Sequence, residues 1–384
     1  VNILKNRPHR RIQSNLSPTG ALAIPSERRK TKKIWVGKVA VGGDSPISVQ
    51  SMTKTDTRDV EATLQEIRAL EIAGCEIVRV ALPDASSVAS LERLKPQVRI
   101  PLVADIHFDY RLALAALEAG VDGLRLNPGN IGASWKVREV VKAAEEREIP
   151  IRIGVNAGSL EKDLLARFGS PTPEAMVESA ARHLRILEEA GFDQVKVSLK
   201  AFSLPLTVSA CRLFSDRYQY PLHLGITEAG GPFAGTIRSS IGLGILLAEG
   251  IGDTLRVSLT GDPVEEVKVG FEILRSLGLR ERGPILISCP SCGRAEIDLR
   301  SLAKEVEERL KDFKEPLHIA VMGCPVNGPG EARAADLGIA GGKGVGLLFC
   351  KGKILKKVPQ SELVDALLEA LEKLRKGVES DALV

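Results

Sequence analysis

Three cysteines near the C-terminus have the types and spacing for metal chemistry. They lie in Cys289-Pro290-Ser291-Cys292-Gly293 and, further on, Cys324-Pro325-Val326-Asn327-Gly328-Pro329-Gly330-Glu331. The prolines and glycines bend the backbone and leave N–H groups free to point at whatever the sulfurs hold. Cys289-x-x-Cys292 alone is compatible with zinc, a redox dithiol or an iron–sulfur cluster. A structural zinc site asks for four protein ligands, and a fourth clustered thiol is missing. Three thiolates plus one oxygen describe instead a [4Fe–4S] cube with one iron open to substrate. Glu331, on the loop after Cys324, is the nearest carboxylate for that oxygen; the plainer reading is a solvated loop acid. Cys350, in Leu347-Leu348-Phe349-Cys350, reads as a buried strand thiol, and Cys75 and Cys211 as packing.

A second set of reactive side chains is carried by short β-rich runs. Side chains alternate across a strand, so each run divides into an apolar face and an inward face. Val78-Arg79-Val80-Ala81 turns Arg79 inward, Leu124-Arg125-Leu126-Asn127 turns Arg125 and Asn127, and the run Ile151–Asn156 turns Arg152 and Asn156. The same division gives Lys196, Ser198 and Lys200, then Arg256 and Ser258, with Asp105, His107 and His223 as further inward polar groups. Five strands thus aim cations at a common interior, with Asp105 as the main counter-charge. One unpaired buried charge costs several kcal/mol, on the order of 3–5 when a partner is removed, so an anion should complete the set. Arginine forks and lysine point charges suit a phosphate or diphosphate. Single cations could pair with loop carboxylates; the whole set is harder to neutralise that way. Glu228, in Thr227-Glu228-Ala229-Gly230-Gly231, reads as a catalytic acid or as an arginine partner, and His107 and His223 as satisfied histidines.

The elements that must position these residues alternate. Strands are expected at 47–52, 76–82, 101–108, 123–127, 151–156, 194–200, 221–227 and 254–260, with amphipathic helices between, such as 59–73, 111–119, 134–148, 173–190 and 235–249. Helix stops recur as Ala73-Gly74, Ala119-Gly120 and Ala190-Gly191. Eight strand–helix units predict an α/β fold, a (β/α)8 TIM-type barrel, with a doubly wound sheet as the alternative. The phosphate site belongs at the C-terminal mouth, near the loops at 227–231 and 260–262. Ahead of the barrel, Ile34-Trp35-Val36 and Val39-Ala40-Val41 read as a hairpin. The expected domains are a basic N-terminal arm (1–33), the barrel (34–277), a linker (278–284) and a small α+β domain (285–384) that carries the cysteine turns. In that last domain strands are expected at 285–288, 317–322, 344–350 and 353–358, and helices at 298–313 and 361–376.

Composition sets limits on function. The 384 residues are 44% hydrophobic and 27% charged, as in an ordinary globular protein. The net charge of +4 is uneven: residues 1–33 hold nine Lys and Arg against Glu27, so that segment is +8 and the remainder −4. With aromatics at 4%, this excludes a general nucleic-acid binder. No apolar run approaches the ~18 residues that span a bilayer. Six cysteines, half of them clustered, fit a reducing compartment better than a secreted disulfide framework, and a cytoplasmic location is expected.

Taken together, the motifs resemble those of the 4-hydroxy-3-methylbut-2-enyl diphosphate synthases, iron–sulfur enzymes of the methylerythritol phosphate route to isoprenoids. The resemblance runs from about Ile34 to Val358. It rests on Val49-Gln50-Ser51-Met52-Thr53, Ala104-Asp105-Ile106-His107-Phe108, the run Leu124–Gly132, Gly225-Ile226-Thr227-Glu228-Ala229-Gly230, and the two cysteine turns. It implies a [4Fe–4S] cluster held by Cys289, Cys292, Cys324 and Glu331. It further implies a two-electron reductive opening of 2-C-methyl-D-erythritol 2,4-cyclodiphosphate, with reduced flavodoxin or ferredoxin as donor. Arg79, Arg125, Arg152, Lys196, Lys200, Arg256, Ser198 and Ser258 would then hold the substrate, Asn127 and Asn156 orient it, and Glu228 donate a proton. The resemblance implies a homodimer in which one chain's cluster domain faces the other's barrel. The rival readings are a non-redox barrel enzyme with a structural zinc and a non-catalytic metal-bound binding protein that uses the basic arm.

Overall fold

A computed structural model of the chain describes residues 27–107, 109–126, 131, 134–293, 295–311, 313–324, 330 and 332–376. Two compact units divide the chain at Arg280/Glu281. In the first, a hairpin of β1 (Ile34–Val36) and β2 (Val39–Val41) precedes β3 (Ser48–Met52), α1 (Val60–Ala73), β4 (Ile77–Ala81), α2 (Ala85–Leu94), β5 (Leu102–Asp105), α3 (Tyr110–Glu118), β6 (Gly123–Leu126) and α4 (Ser134–Glu145). There follow β7 (Ile151–Asn156), α5 (Lys162–Phe168), α6 (Pro173–Glu189), β8 (Val195–Lys200), α7 (Leu204–Arg217), β9 (His223–Leu224), α8 (Pro232–Ala248), β10 (Thr254–Leu255) and α9 (Pro263–Ser276).

The eight strands from β3 to β10 form one parallel sheet, ordered β8-β7-β6-β5-β4-β3-β10-β9. A parallel bridge from Val197 to Leu222 joins its two edges, so the sheet closes into the expected barrel. Helices between the strands turn apolar stripes onto them. On α1, Val60, Leu64, Ile67 and Leu70 are buried at three- and four-residue steps, Asp59 caps the start through the Ala62 N–H, and Gly74 ends it at φ 88°. The hairpin closes the N-terminal end: Ile34, Val36 and Val41 pack with Ile77, which begins β4, and Val103, the second residue of β5.

Several strands are shorter than their sequence pattern predicts: β5 covers Leu102–Asp105 of the expected 101–108, and two others shrink further. The runs expected at 221–227 and 254–260 keep ladder geometry at His223–Leu224 and Thr254–Leu255. Beyond them the chain turns into the mouth loops, where a Cβ on Gly225 would meet Lys200 Nζ at 2.5 Å and the Arg256 carbonyl at 2.8 Å. Helix α8 starts at Pro232, three residues before the expected Gly235, because Pro in the first turn and Gly231 as N-cap extend it.

The described end of the basic segment, residues 27–33, is bonded to the barrel unit. Arg28 and Arg29 donate to the carbonyls of Ser45 and Tyr220 (2.5 and 2.8 Å), and Thr31 Oγ1 donates to Asp253 Oδ1 at 2.9 Å. Lys32 pairs with Asp193 and Lys33 with Asp44. Residues 27–33 are therefore a bound strap and not a free arm.

The second unit is a five-stranded sheet, β11 (Ile285–Ser288), β12 (His318–Met322), β13 (Leu337–Ala340), β14 (Val345–Cys350) and β15 (Lys353–Pro359), with α10 (Leu299–Arg309) and α11 (Leu363–Arg375). The strands β11, β12 and β13 are parallel and the remainder antiparallel. Strand β13 was not expected from the sequence, yet it is buried throughout at the centre of the sheet.

Candidate functional site

Within the barrel, strand register brings the inward cations into one layer. Asp105 pairs in register with Arg125, Arg125 with Arg152, and Arg152 with Lys196, across β5 to β8. Asp105 is the hub: its carboxylate lies 3.1 Å from Arg125 Nη1 and 3.5 Å from both Arg79 Nε and His107 Nε2. Burial disfavours its charge, but Arg79, His107, Arg125 and Arg152 outweigh that and hold the carboxyl far below its usual range. His107 also meets Arg125 Nη1 at 2.9 Å, so it belongs to the same network.

The rest of the layer is not neutralised from within. Arg152 is 2% exposed and Lys196 3%, and Arg152 Nε and Nη1 and Lys196 Nζ have no hydrogen-bond partner. Burial, reinforced by Arg152 and Arg79, lowers Lys196 to about 7. Burial likewise lowers Arg79 to about 10 and pushes Arg152, Lys200 and His223 well down. Among the described residues, Asp105 and Glu266 are the carboxylates paired with this cationic set. Such a layer is suited to a multiply charged anion, which restores the protonated, paired state of each group.

Glycines make room for it. A Cβ on Gly154 would stand 2.7 Å from Arg125 Nε, so the bare backbone of β7 lets that guanidinium lie across it. Lys200 is buried against Gly225. Ser198 is buried and donates to the Ile153 carbonyl at 3.5 Å, while Asn156 and Ser258 are half-buried. Glu228 is exposed and holds φ 55°, a left-handed conformation that costs a non-glycine residue energy and is kept where the loop requires it. Asn127 lies outside the described residues.

Sequence patterning missed Glu266. It is 1% exposed on α9, and it binds Arg256 Nε at 3.2 Å and Ser51 Oγ at 3.1 Å. Its position in Pro263-Val264-Glu265-Glu266 reads as an ordinary helix-start acid; the available signal was its place directly before the core-facing Val267.

In the second unit, two neighbouring parallel strands deliver the cysteine turns to the same edge. Ser288 is in register with Val321, which sets Cys289 level with Met322, two residues before Cys324. The Gly323 N–H donates to Cys289 Sγ at 3.4 Å. Glu296 N–H donates to the Gly323 carbonyl at 3.1 Å, tying the loop after Cys292 to the second turn. Ser291, between the first two cysteines, takes a left-handed φ of 61°. Cys289 and Cys324 are partly buried and Cys292 is exposed. Among the described residues no three Cys, His, Asp or Glu converge as ligands of one metal ion. Soft thiols on one edge with a backbone N–H already directed at sulfur fit an iron–sulfur group, whose potential such hydrogen bonds tune. Glu331 lies outside the described residues. Cys75 and Cys211, pushed up to about 12 by burial, stay as thiols, and Cys350 is buried in β14.

Comparison with known proteins matches residues 31–271 to the GcpE TIM-barrel domain and residues 285–373 to the GcpE protein C-terminal domain. A 4-hydroxy-3-methylbut-2-en-1-yl diphosphate synthase (flavodoxin) of Geobacter sulfurreducens is 64% identical over 90% of this chain and 98% of its own length. The enzyme of the same name from Thermodesulfovibrio yellowstonii is 60% identical over 90% of this chain and 99% of its own. Among solved structures, a dihydropteroate synthase from Xanthomonas albilineans is similar over 64% of this chain and 98% of its own, with 16% identity and a TM-score of 0.47.

Proposed function

The chain belongs to the GcpE family, and from that premise we propose how its residues divide the work of the family's reaction. The chain is an iron–sulfur oxidoreductase of isoprenoid precursor synthesis. It opens 2-C-methyl-D-erythritol 2,4-cyclodiphosphate reductively to 4-hydroxy-3-methylbut-2-enyl diphosphate and water. The observation that carries the assignment of roles is the buried cation layer with unpartnered nitrogens on Arg152 and Lys196. Arg79, Arg125, Arg152, Lys196, Arg256 and Ser258 grip the diphosphate, Lys200 and Ser198 bind the substrate beside them, and Asn127 and Asn156 orient it. Glu228, at the exposed mouth loop after β9, donates the proton that lets the hydroxyl leave as water.

The cysteine turns take a [4Fe–4S] cluster on Cys289, Cys292 and Cys324, with Glu331 at the fourth corner. Such a group, when bound, supplies electrons singly and a Lewis-acidic iron. The Gly323 N–H on Cys289 Sγ supports this ligand set. Glu331→Ala should leave a cluster that loses one iron and turns over poorly; four irons and normal turnover would remove Glu331 from the set.

The electron donor is reduced flavodoxin, with ferredoxin as the alternative; the relatives' name supports the first. Reduced thiols and such a donor support a cytoplasmic setting, and no helix among the described residues is long and apolar enough to cross a membrane. A homodimer is supported by α8, where Phe233, Ile237, Ile241 and Ile245 form an exposed stripe at four-residue steps. In that dimer, the resemblance puts one chain's cluster domain against the other's barrel. Iron and zinc analysis of anaerobically purified protein tests the whole reading: stoichiometric zinc without iron favours the structural-zinc alternative.

A further inference from the structure

Arg256 presents a difficulty for any anion-binding role, because it is already paired. Its Nε lies 3.2 Å from Glu266 Oε2 and its Nη2 3.5 Å from Oε1. An arginine so closed on a carboxylate has little net charge left for a ligand. Lys54, on the loop after β3, alters that balance: its Nζ stands 3.2 Å from Glu266 Oε1. The same ammonium donates to the carbonyl of Leu259 at 2.7 Å and to that of Gly261. Its three donors are therefore used on the protein, and none is left for a ligand.

Glu266 is equally committed. Oε2 also accepts from Ser51 Oγ at 3.1 Å, and Oε1 from the Leu259 N–H at 3.1 Å. Every one of these contacts holds the mouth segment 256–261 or the end of β3. Arg256 Nη1, the nitrogen not engaged by the carboxylate, rests 3.5 Å from Met52 Sδ, a weak acceptor that cannot compete with an anion.

We infer that Lys54 and Glu266 form a charge-neutral bracket, which orients Arg256 and fixes the loop after β10 without cancelling the arginine's attraction for an anion. Lys54 is a positioning residue in this scheme: it acts on ligand affinity by neutralising Glu266, and it touches no ligand. The inference rests on the barrel being the diphosphate site.

The test is titration of the holoenzyme with the cyclodiphosphate and with inorganic pyrophosphate, using Lys54→Met, Lys54→Arg, Glu266→Gln and the Lys54→Met/Glu266→Gln double variant. Lys54→Met should weaken both anions roughly tenfold, as an uncompensated carboxylate now faces them. Lys54→Arg should bind within about threefold of the unmutated protein, because the compensating charge is kept. The double variant should recover most of the loss, since both charges vanish together. A residue that merely held the loop would give a double variant weaker than either single. Unfolding temperature and cluster absorbance check that each variant is folded and loaded. Undiminished binding by Lys54→Met, or a double variant weaker than Lys54→Met, overturns the bracket alone. If the unmutated protein binds neither anion, the barrel reading fails and the inference falls with it.

Discussion

At the scale of single residues, the proposed role of the barrel cations implies that they trade stability for binding. Lys196 is buried, lacks a hydrogen-bond partner and lies beside Arg152 in the strand register. Replacing such a group with an apolar side chain of similar length removes a desolvation cost, typically about 1–4 kcal/mol. Lys196→Met should therefore raise the unfolding temperature of the ligand-free protein while weakening the cyclodiphosphate at least tenfold. A variant that unfolds lower would show that Lys196 is satisfied in a way the geometry does not reveal. The pH dependence has a definite sign. With Lys196 lowered from 10.5 to about 7, the unfolded chain binds more protons than the folded one between those values, so native stability rises with pH across that window. The advantage of Lys196→Met should shrink over the same range in thermal melts; a pH-independent advantage would contradict the lowered value. The inward cations were legible because strand alternation fixes which face they take. Glu266 was not, since it reaches the interior from a helix, where a step of one residue separates the exposed Glu265 from the buried Glu266.

At the scale of elements, the strands were legible where they alternate and obscure where they do not. Strand β7 matches its expected range in full, and its polar residues read directly as Arg152 and Asn156. Strands β9 and β10 stop after two residues because the chain is diverted into mouth loops, which composition alone does not distinguish from continued strand. Strand β13, Leu-Gly-Ile-Ala, escaped notice because it is short and lacks a polar face; Gly338 is needed there because a Cβ would collide with the Phe349 ring. The same steric logic makes Gly154 a test of how Arg125 is placed. Gly154→Ala should displace the guanidinium and weaken the cyclodiphosphate about tenfold, as for loss of a charge-assisted bond. Gly158→Ala, where a Cβ meets nothing within 4 Å, serves as the control. Equal affinity in the two variants would mean that Arg125 does not depend on the bare strand.

At the scale of the whole molecule, the two units split the chemistry: one carries the cations and the other the thiols. The split at Arg280/Glu281 lies between the strand–helix units and the cysteine turns. The contacts of residues 28–32 with Asp253, Asp193 and the carbonyls near Tyr220 were not legible, because those partners lie more than 150 residues away in sequence. Removing residues 1–33 should leave Asp253, 2% exposed, without Arg28, Arg29 and Thr31. The cost is about 3–5 kcal/mol, read as a fall of several degrees in unfolding temperature. An unchanged melt would return the segment to the role of a dispensable arm.

The central claim is that the cation layer of the barrel holds the cyclodiphosphate for reduction at the cysteine turns. Its most direct test is anaerobic turnover of 2-C-methyl-D-erythritol 2,4-cyclodiphosphate with reduced flavodoxin, product identified by mass, for the unmutated chain and for Arg152→Met. The account predicts 4-hydroxy-3-methylbut-2-enyl diphosphate from the unmutated chain, and at least a hundredfold loss of kcat/KM in the variant at undiminished iron content. Product formed equally by both would contradict it.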